Sequence, residues 1–276
     1  MKRLLLFVFV PALVVGLVAA FAPTSDTTYS CGKLPPQLQR EYLALGDSLG
    51  YGYGATDPAT KGYVPLFRDF LESKDWLHRP LLLKNLSIPG ATSDSLISDE
   101  LPAALAELEA RNGDWWHFND VTVVTVDIGG NDLLATLPFC IGGVTPECIY
   151  SLNTTIAALS ANLDDILGEL RAAAGPHTTM IVMTYYNSFV NPYCPYYPDA
   201  VPLGNLALEG NAAYGVPVGA NDAIRSVADD HNVEVAELFI DGAFLLGPSN
   251  VLPDCVHAND SGYAIIAGAF ADAYED

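Results

Sequence analysis

The chain has 276 residues, half of them apolar, so it can bury a substantial core and is too apolar for a disordered protein. It carries 12 Lys and Arg against 33 Asp and Glu, a net charge of −21. Such a surface repels nucleic acid and anionic membranes, because no basic patch can neutralise phosphates, and nucleic-acid partners are therefore excluded. A solvated, soluble surface explains this acidity more simply than selection of a cationic substrate.

The first 22 residues resemble an export signal in their order of charge and hydropathy. Lys2 and Arg3 precede an uncharged run that ends in Ala20-Phe21-Ala22, which predicts a signal peptide over residues 1–22 and a secreted protein. The run is long enough to span a bilayer, so a retained anchor is the alternative, although Pro11 and the small-residue ending favour cleavage. After cleavage no stable membrane insertion is expected, and the cysteines meet an oxidising compartment.

Strands and helices alternate along the rest of the chain. Residues 23–41 are expected to form a lead-in and residues 42–276 a single domain. Short apolar runs predict strands at 42–45, 81–86, 121–128, 180–184 and 233–238. Apolar residues at helical spacing predict helices at 63–76, 96–110, 156–170, 221–230 and 261–274, the third of them capped by Thr154 or Thr155. This alternation predicts an open parallel sheet flanked by helices.

Polar residues follow the predicted strands where a parallel sheet binds its ligands. The first strand stops at Gly46, and Ser48 follows at the tip of a glycine-flanked turn. Gly90 follows the second strand and Asn131 the third, while Asp254 and His257 precede the last helix. Gly90 and Asn131 taken singly fit ordinary turns, but the ordered set of segments favours one catalytic rim.

Each of these residues has a possible role in acyl transfer. The Ser48 hydroxyl is a candidate nucleophile, His257 its base and Asp254 the group that orients the imidazole. The backbone N–H groups of Ser48 and Gly90, together with the Asn131 side chain, could bind the oxyanion. No metal site and no dinucleotide or phosphate loop is visible, and serine ester hydrolysis requires neither metal nor cofactor.

These segments resemble the sequence blocks of the SGNH (GDSL) hydrolase family. The matching positions are residues 46–49 with Gly52, Gly90, residues 129–132 and residues 254–257. The resemblance spans about residues 42 to 270 and implies a flavodoxin-like, three-layer α/β/α fold whose central five-stranded parallel sheet has the order 2-1-3-4-5. It also implies ester hydrolysis, with Ser48, Gly90, Asn131 and His257 in the roles given above and Asp254 as the third triad member. Ala258 departs from the family, where many relatives carry proline after the histidine, so a slightly altered loop is expected.

The sequence therefore predicts a secreted serine esterase or lipase that forms an acyl-enzyme on Ser48. A small-molecule or lipid ester is the expected substrate, and a monomer is expected. A polysaccharide O-deacetylase with the same residues and a non-catalytic exported binding module are the alternatives. Gly46 to Gly50 also satisfies the Gly-x-Ser-x-Gly elbow of α/β-hydrolases, but that fold needs several strands before its serine, and here one precedes it.

The cysteines and one aromatic loop complete the sequence predictions. Cys140 and Cys148 are expected to form a disulfide. Cys194 and Cys255 could form a second one, because the strands near them are expected to be neighbours. Pairing of Cys31 with Cys194 or with Cys255 is left open. Six aromatic residues crowd the loop after the fourth strand, where they could line a substrate pocket or cover the sheet edge: Tyr185, Tyr186, Phe189, Tyr193, Tyr196 and Tyr197.

Overall fold

Five parallel strands form the central sheet of the computed structural model, which describes residues 39–76, 79–113 and 117–276. The strands are β1 (Glu41–Gly46), β2 (Leu82–Asn85), β3 (Val121–Asp127), β4 (Thr179–Met183) and β5 (Glu234–Ala236). Their order is β2-β1-β3-β4-β5 and every neighbouring pair is parallel, which confirms the predicted sheet. The predicted signal peptide (residues 1–22) and Cys31 lie outside the described residues.

Helices flank this sheet, and a two-stranded antiparallel pair, β6 (Phe239–Ile240) and β7 (Ala243–Phe244), follows β5. The helices are α1 (Ser48–Tyr51), α2 (Pro58–Lys61), α3 (Tyr63–Lys74), α4 (Ser93–Asp99), α5 (Leu101–Asn112), α6 (Gly130–Leu134), α7 (Leu137–Cys140), α8 (Pro146–Ala174), α9 (Val201–Glu209), α10 (Ala220–Asp230) and α11 (Asp260–Glu275). Helix α3 packs against α11, while α5 and α10 pack against α8. In the described part of the chain, no helix has both the length and the apolar character to cross a lipid bilayer.

The sheet is apolar because helices cover it. All six residues of β1 are buried, and Thr122 is the one residue of β3 that is partly exposed. A strand enclosed in this way needs a continuous apolar run, which is the pattern seen in the sequence. The ring of Tyr63 on α3 stacks on Phe270 of α11 with centroids 4.7 Å apart, which fixes these two helices together.

Two predicted helices have different boundaries in the structure. Helix α8 begins at Pro146, well before Thr154, because the Thr145 side chain accepts the Cys148 N–H and proline fits the first turn. The single helix predicted over 96–110 is two helices, α4 and α5, which meet at Glu100. Pro102 in the first turn of α5 explains the break, since proline provides no N–H for a continuing helix.

Two disulfides tie loops to the frame. Cys140 at the end of α7 bonds Cys148 in the first turns of α8, and Cys194 bonds Cys255, as the sequence suggested. The second bond joins the loop after β4 to the segment that carries Asp254 and His257. Cys255 has a φ of 66°, and its buried sulfur packs in a small cluster with Phe189 and Ala200.

Removing the two disulfides should destabilise the protein unequally. Cys194 and Cys255 are 61 positions apart, whereas Cys140 and Cys148 are 8 apart. By the chain-entropy argument, replacing the first pair by serine should cost about 4 kcal/mol of unfolding free energy and replacing the second about 2.5 kcal/mol. Urea unfolding of the two double variants measures this difference, and an equal or reversed loss would contradict it.

Candidate active site

Ser48 lies at the first turn after the central strand β1. It is the first residue of α1, and its side chain is almost completely buried. The carboxylate of Asp47 caps this helix by accepting the Leu49 N–H at 2.8 Å. The chain reverses directly after the strand, so the Ser48 hydroxyl is held at the carboxyl edge of the sheet.

A chain of hydrogen bonds leads from Ser48 through His257 to Asp254. Ser48 Oγ lies 2.9 Å from His257 Nε2, and His257 Nδ1 lies 2.7 Å from Asp254 Oδ2. The other Asp254 oxygen accepts the backbone N–H groups of Val256 and His257, both at 3.0 Å. Burial acts to raise the pKa of Asp254, but these hydrogen bonds outweigh it and hold the pKa below its usual value. The carboxylate is therefore ionised where it faces the imidazole.

The segment that carries His257 is held by the rest of the fold at several points. Val251 and Ala258 form an antiparallel bridge, so the fully buried Ala258 closes a loop around the histidine. The Tyr186 hydroxyl donates to the Val256 carbonyl at 2.8 Å. Asn191 Nδ2 donates to the Val251 carbonyl at 2.6 Å. These contacts and the Cys194–Cys255 bond fix the position of the imidazole.

Asn131 connects the Ser48 turn to the turn that contains Gly90. Its Nδ2 donates to the Ala91 carbonyl at 2.8 Å and lies 3.3 Å from Asp47 Oδ2. Gly90 is exposed and has a φ of +88°, a left-handed conformation that favours glycine. The structure thus brings Ser48 into contact with His257, which in turn contacts Asp254. Asn131 lies beside the Ser48 turn, and Gly90 directly precedes Ala91, whose carbonyl accepts from Asn131.

The buried carboxyl group of Asp127, at the end of β3, supports the turn that contains Ser48. It accepts the Gly50 N–H at 3.0 Å and the Tyr63 hydroxyl at 2.5 Å. Burial, and then the nearby charge of Asp47, raise the pKa of Asp127 well above its usual value. Burial likewise raises the pKa of Asp47 to about 6. The pair therefore holds a proton at pH values where exposed aspartates are ionised.

Glu100, at the break between α4 and α5, supports the same turn from another side. Its Oε2 accepts the N–H of Gly46 at 2.8 Å, and its side chain is almost fully enclosed. Burial raises the pKa of Glu100 to about 8. Within the residues that the structure describes, no three His, Cys, Asp or Glu side chains gather as metal ligands.

The aromatic loop after β4 divides into two parts. Tyr185, Tyr186 and Phe189 are buried and line a cavity of about 90 Å³ that adjoins Ser48. Tyr193 and Tyr197 are largely exposed. The pocket interpretation therefore applies to the first half of the loop, and the second half lies on the surface.

Sequence reasoning missed the supporting residues Asp127, Glu100 and Tyr63. Asp127 had a signal, since it is the one charged residue in the otherwise uncharged strand β3. Glu100 and Tyr63 had no such signal in the sequence, because helical segments contain many glutamates and tyrosines and nothing local marks the two that turn inward.

Comparison with known proteins relates this geometry to a family. The model of the GDSL-like Lipase/Acylhydrolase family matches residues 44–265. A search of curated proteins gave no match.

Several solved structures share the fold at low sequence identity. The lipase Lip_vut3 from a goat rumen metagenome has a TM-score of 0.61 at 18% identity, covering 85% of this chain and 97% of its own. The acetylxylan esterase Axe2 from Geobacillus stearothermophilus has a TM-score of 0.54 at 18% identity, covering 86% and 95%. A two-domain esterase active on acetylated mannans has a TM-score of 0.51 at 12% identity, covering 87% of this chain and 50% of its own.

Replacing Glu100 by glutamine should flatten the pH dependence of stability. A carboxyl whose pKa is higher in the folded than in the unfolded protein stabilises the fold below about pH 4.5, and this contribution is lost as pH rises through about 8. Glu100→Gln keeps an acceptor for Gly46 but cannot ionise. The unfolding free energy of the variant minus that of the wild type should therefore increase as the pH rises from 5 to 8. Urea unfolding across this range measures this difference.

Glu109→Gln, an exposed change on α5, provides the matched control and should follow the wild-type profile. Parallel profiles for wild type and Glu100→Gln would show that the Glu100 carboxyl does not hold a proton in the folded protein.

Proposed function

The chain belongs to the GDSL-like lipase/acylhydrolase family and is a carboxylic ester hydrolase, and from that premise we propose that it is a secreted serine esterase that forms an acyl-enzyme on Ser48. Ser48 is the nucleophile, His257 the general base and Asp254 the group that orients the imidazole. The observation that carries this proposal is the unbroken hydrogen-bonded sequence Ser48–His257–Asp254, with heavy-atom distances of 2.9 and 2.7 Å.

The reaction has two steps. Ser48 Oγ attacks the ester carbonyl carbon while His257 Nε2 takes the hydroxyl proton. The tetrahedral intermediate collapses, the C–O bond to the alcohol breaks, and His257 returns its proton to the departing oxygen. Water then attacks the acyl-enzyme, gives its proton to His257, and releases the carboxylic acid as the proton returns to Ser48. General base catalysis of this kind contributes about 10²–10⁴-fold in rate.

The oxyanion requires donors in fixed positions. The N–H of Ser48, at the start of α1, and that of Gly90, in its left-handed turn, are backbone donors that need no reorganisation. Asn131 Nδ2 is the third donor; it now donates to the Asp47 carboxylate at 3.3 Å and to the Ala91 carbonyl at 2.8 Å. The longer of these two bonds is the one that donation to the oxyanion would replace.

Secretion and solubility are part of the same proposal. The export-like N-terminus supports secretion, and two disulfides are consistent with an oxidising, extracellular setting. A net charge of −21 favours a dissolved monomer over adsorption to anionic surfaces.

A polysaccharide deacetylase is the second candidate. Axe2 is described as an acetylxylan esterase, and the two-domain relative acts on acetylated mannans; both share this fold. The same Ser48 chemistry would remove acetyl groups from sugars, so acetylated xylan and mannan compared with simple acyl esters separate the two candidates.

Ser48→Ala should abolish hydrolysis of p-nitrophenyl esters. Without the Oγ atom no acyl-enzyme can form, so kcat/KM should fall by at least about 10⁴-fold while the protein stays folded. A fluorophosphonate probe should label the wild type at Ser48, as shown by peptide mapping, and should not label the variant.

Ser98→Ala is the matched control, since it removes an exposed hydroxyl that donates within α4 to the Ser95 carbonyl, and it should keep wild-type activity. Full activity of Ser48→Ala, or labelling at another serine, would refute the proposed nucleophile. Absence of both labelling and hydrolysis in the wild type would favour a non-catalytic binding module.

Asn131→Ala should lower kcat by about 10²–10³-fold with little change in KM, because an oxyanion donor acts in the transition state. Asn153→Ala is its control: that amide also donates two hydrogen bonds, to the carbonyls of Ile149 and Gly215, but it lies on α8. Equal, small losses of kcat in the two variants would show that Asn131 has a structural role and does not bind the oxyanion.

A further inference from the structure

The cavity beside Ser48 is apolar over most of its wall. Leucines of α6 and α7 line it from one side, and Leu203, Ala207 and Leu208 of α9 line it from another. Asp47, Ser48 and Asn131 of the candidate active site line it as well, as do the polar residues Thr136, Asn187 and Ser188. The cavity thus adjoins the groups that would bind an ester carbonyl, and apolar side chains form most of the rest of its wall.

The position of His257 determines which half of an ester enters this cavity. The departing alcohol oxygen must lie next to His257, which returns a proton to it. Of the residues described, Val256 lines the cavity but His257 does not, whereas Ser48 and Asn131 do. His257 instead packs against the half-exposed ring of Tyr53, with centroids 4.5 Å apart. The alcohol therefore leaves on the open Tyr53 side, and the enclosed cavity remains for the acyl group.

The size of the cavity limits the acyl chain. About 90 Å³ of the cavity is open to the centres of water-sized groups, so it holds a chain of several carbons. An acetyl group would leave most of this apolar wall without a partner.

We propose that this cavity is the acyl chamber of the enzyme and that it selects acyl chains of several carbons over acetyl. The inference rests on the proposed function, because it needs the acyl-enzyme on Ser48. It makes Ala207 a specificity-determining residue, since its small side chain on α9 leaves the space that the acyl chain fills. Each buried methylene should raise kcat/KM about four-fold until the chamber is full.

Kinetics with p-nitrophenyl acetate, butyrate, hexanoate, octanoate and laurate test the proposal. For the wild type, kcat/KM should rise from acetate through butyrate to hexanoate. Ala207→Leu should lower kcat/KM for octanoate at least 10-fold while acetate changes less than 3-fold. Ala161→Leu, the same substitution at an exposed position of α8, should leave the whole profile unchanged.

A second measurement needs no variant, so it stands even if Ala207→Leu fails to fold. Rates of Ser48 inactivation by fluorophosphonates with ethyl and octyl chains should differ at least 10-fold in favour of octyl. Equal rates, a profile that peaks at acetate, or a folded Ala207→Leu with the wild-type profile would overturn the acyl chamber while leaving Ser48 catalysis intact. Loss of all labelling and hydrolysis would instead defeat the proposed function itself.

Discussion

The burial of the Asp127 carboxyl group beneath the serine turn is the interaction on which the site depends. A carboxyl group removed from water is costly unless hydrogen bonds replace its hydration, and here the Gly50 N–H and the Tyr63 hydroxyl do so. The turn can approach this closely because Gly46 and Gly50 lack a Cβ, which would lie 2.1 and 2.5 Å from Asp127 Oδ1. One side chain thereby fixes β1, α1 and α3 relative to the end of β3.

Strand order explains how the remaining site residues meet. Strands β1 and β3 are neighbours, so Ser48 and Asn131, which follow them, lie close together. His257 precedes the last helix and has no adjacent strand to position it. The fold supplies that support through the Tyr186 hydroxyl, the Asn191 amide and the disulfide of Cys255. The aromatic loop after β4 thus both lines the cavity and holds the segment that carries His257.

The sequence was sufficient for the parts of the molecule that depend on local pattern. Apolar runs and helical spacing predicted the five strands and the main helices, and the glycine-flanked Ser48 turn with its distant partners predicted the family. The start of α8 at Pro146 was missed because the apolar stripe of that helix begins later than its cap at Thr145. Glu100 and the parts of the cavity wall that belong to α6, α7 and α9 could not be predicted, since they depend on which helical residues turn inward, and that is decided by packing between elements far apart in sequence.

The hydrogen bond between Ser48 and His257 joins residues 209 positions apart. During synthesis the ribosome therefore delivers Ser48 long before His257, when none of the strands from β2 to β5 has been made. The bond between Cys194 and Cys255 likewise waits for the last part of the chain. A chain interrupted before residue 254 would lack Asp254 and His257, so its Ser48 hydroxyl would have no imidazole beside it.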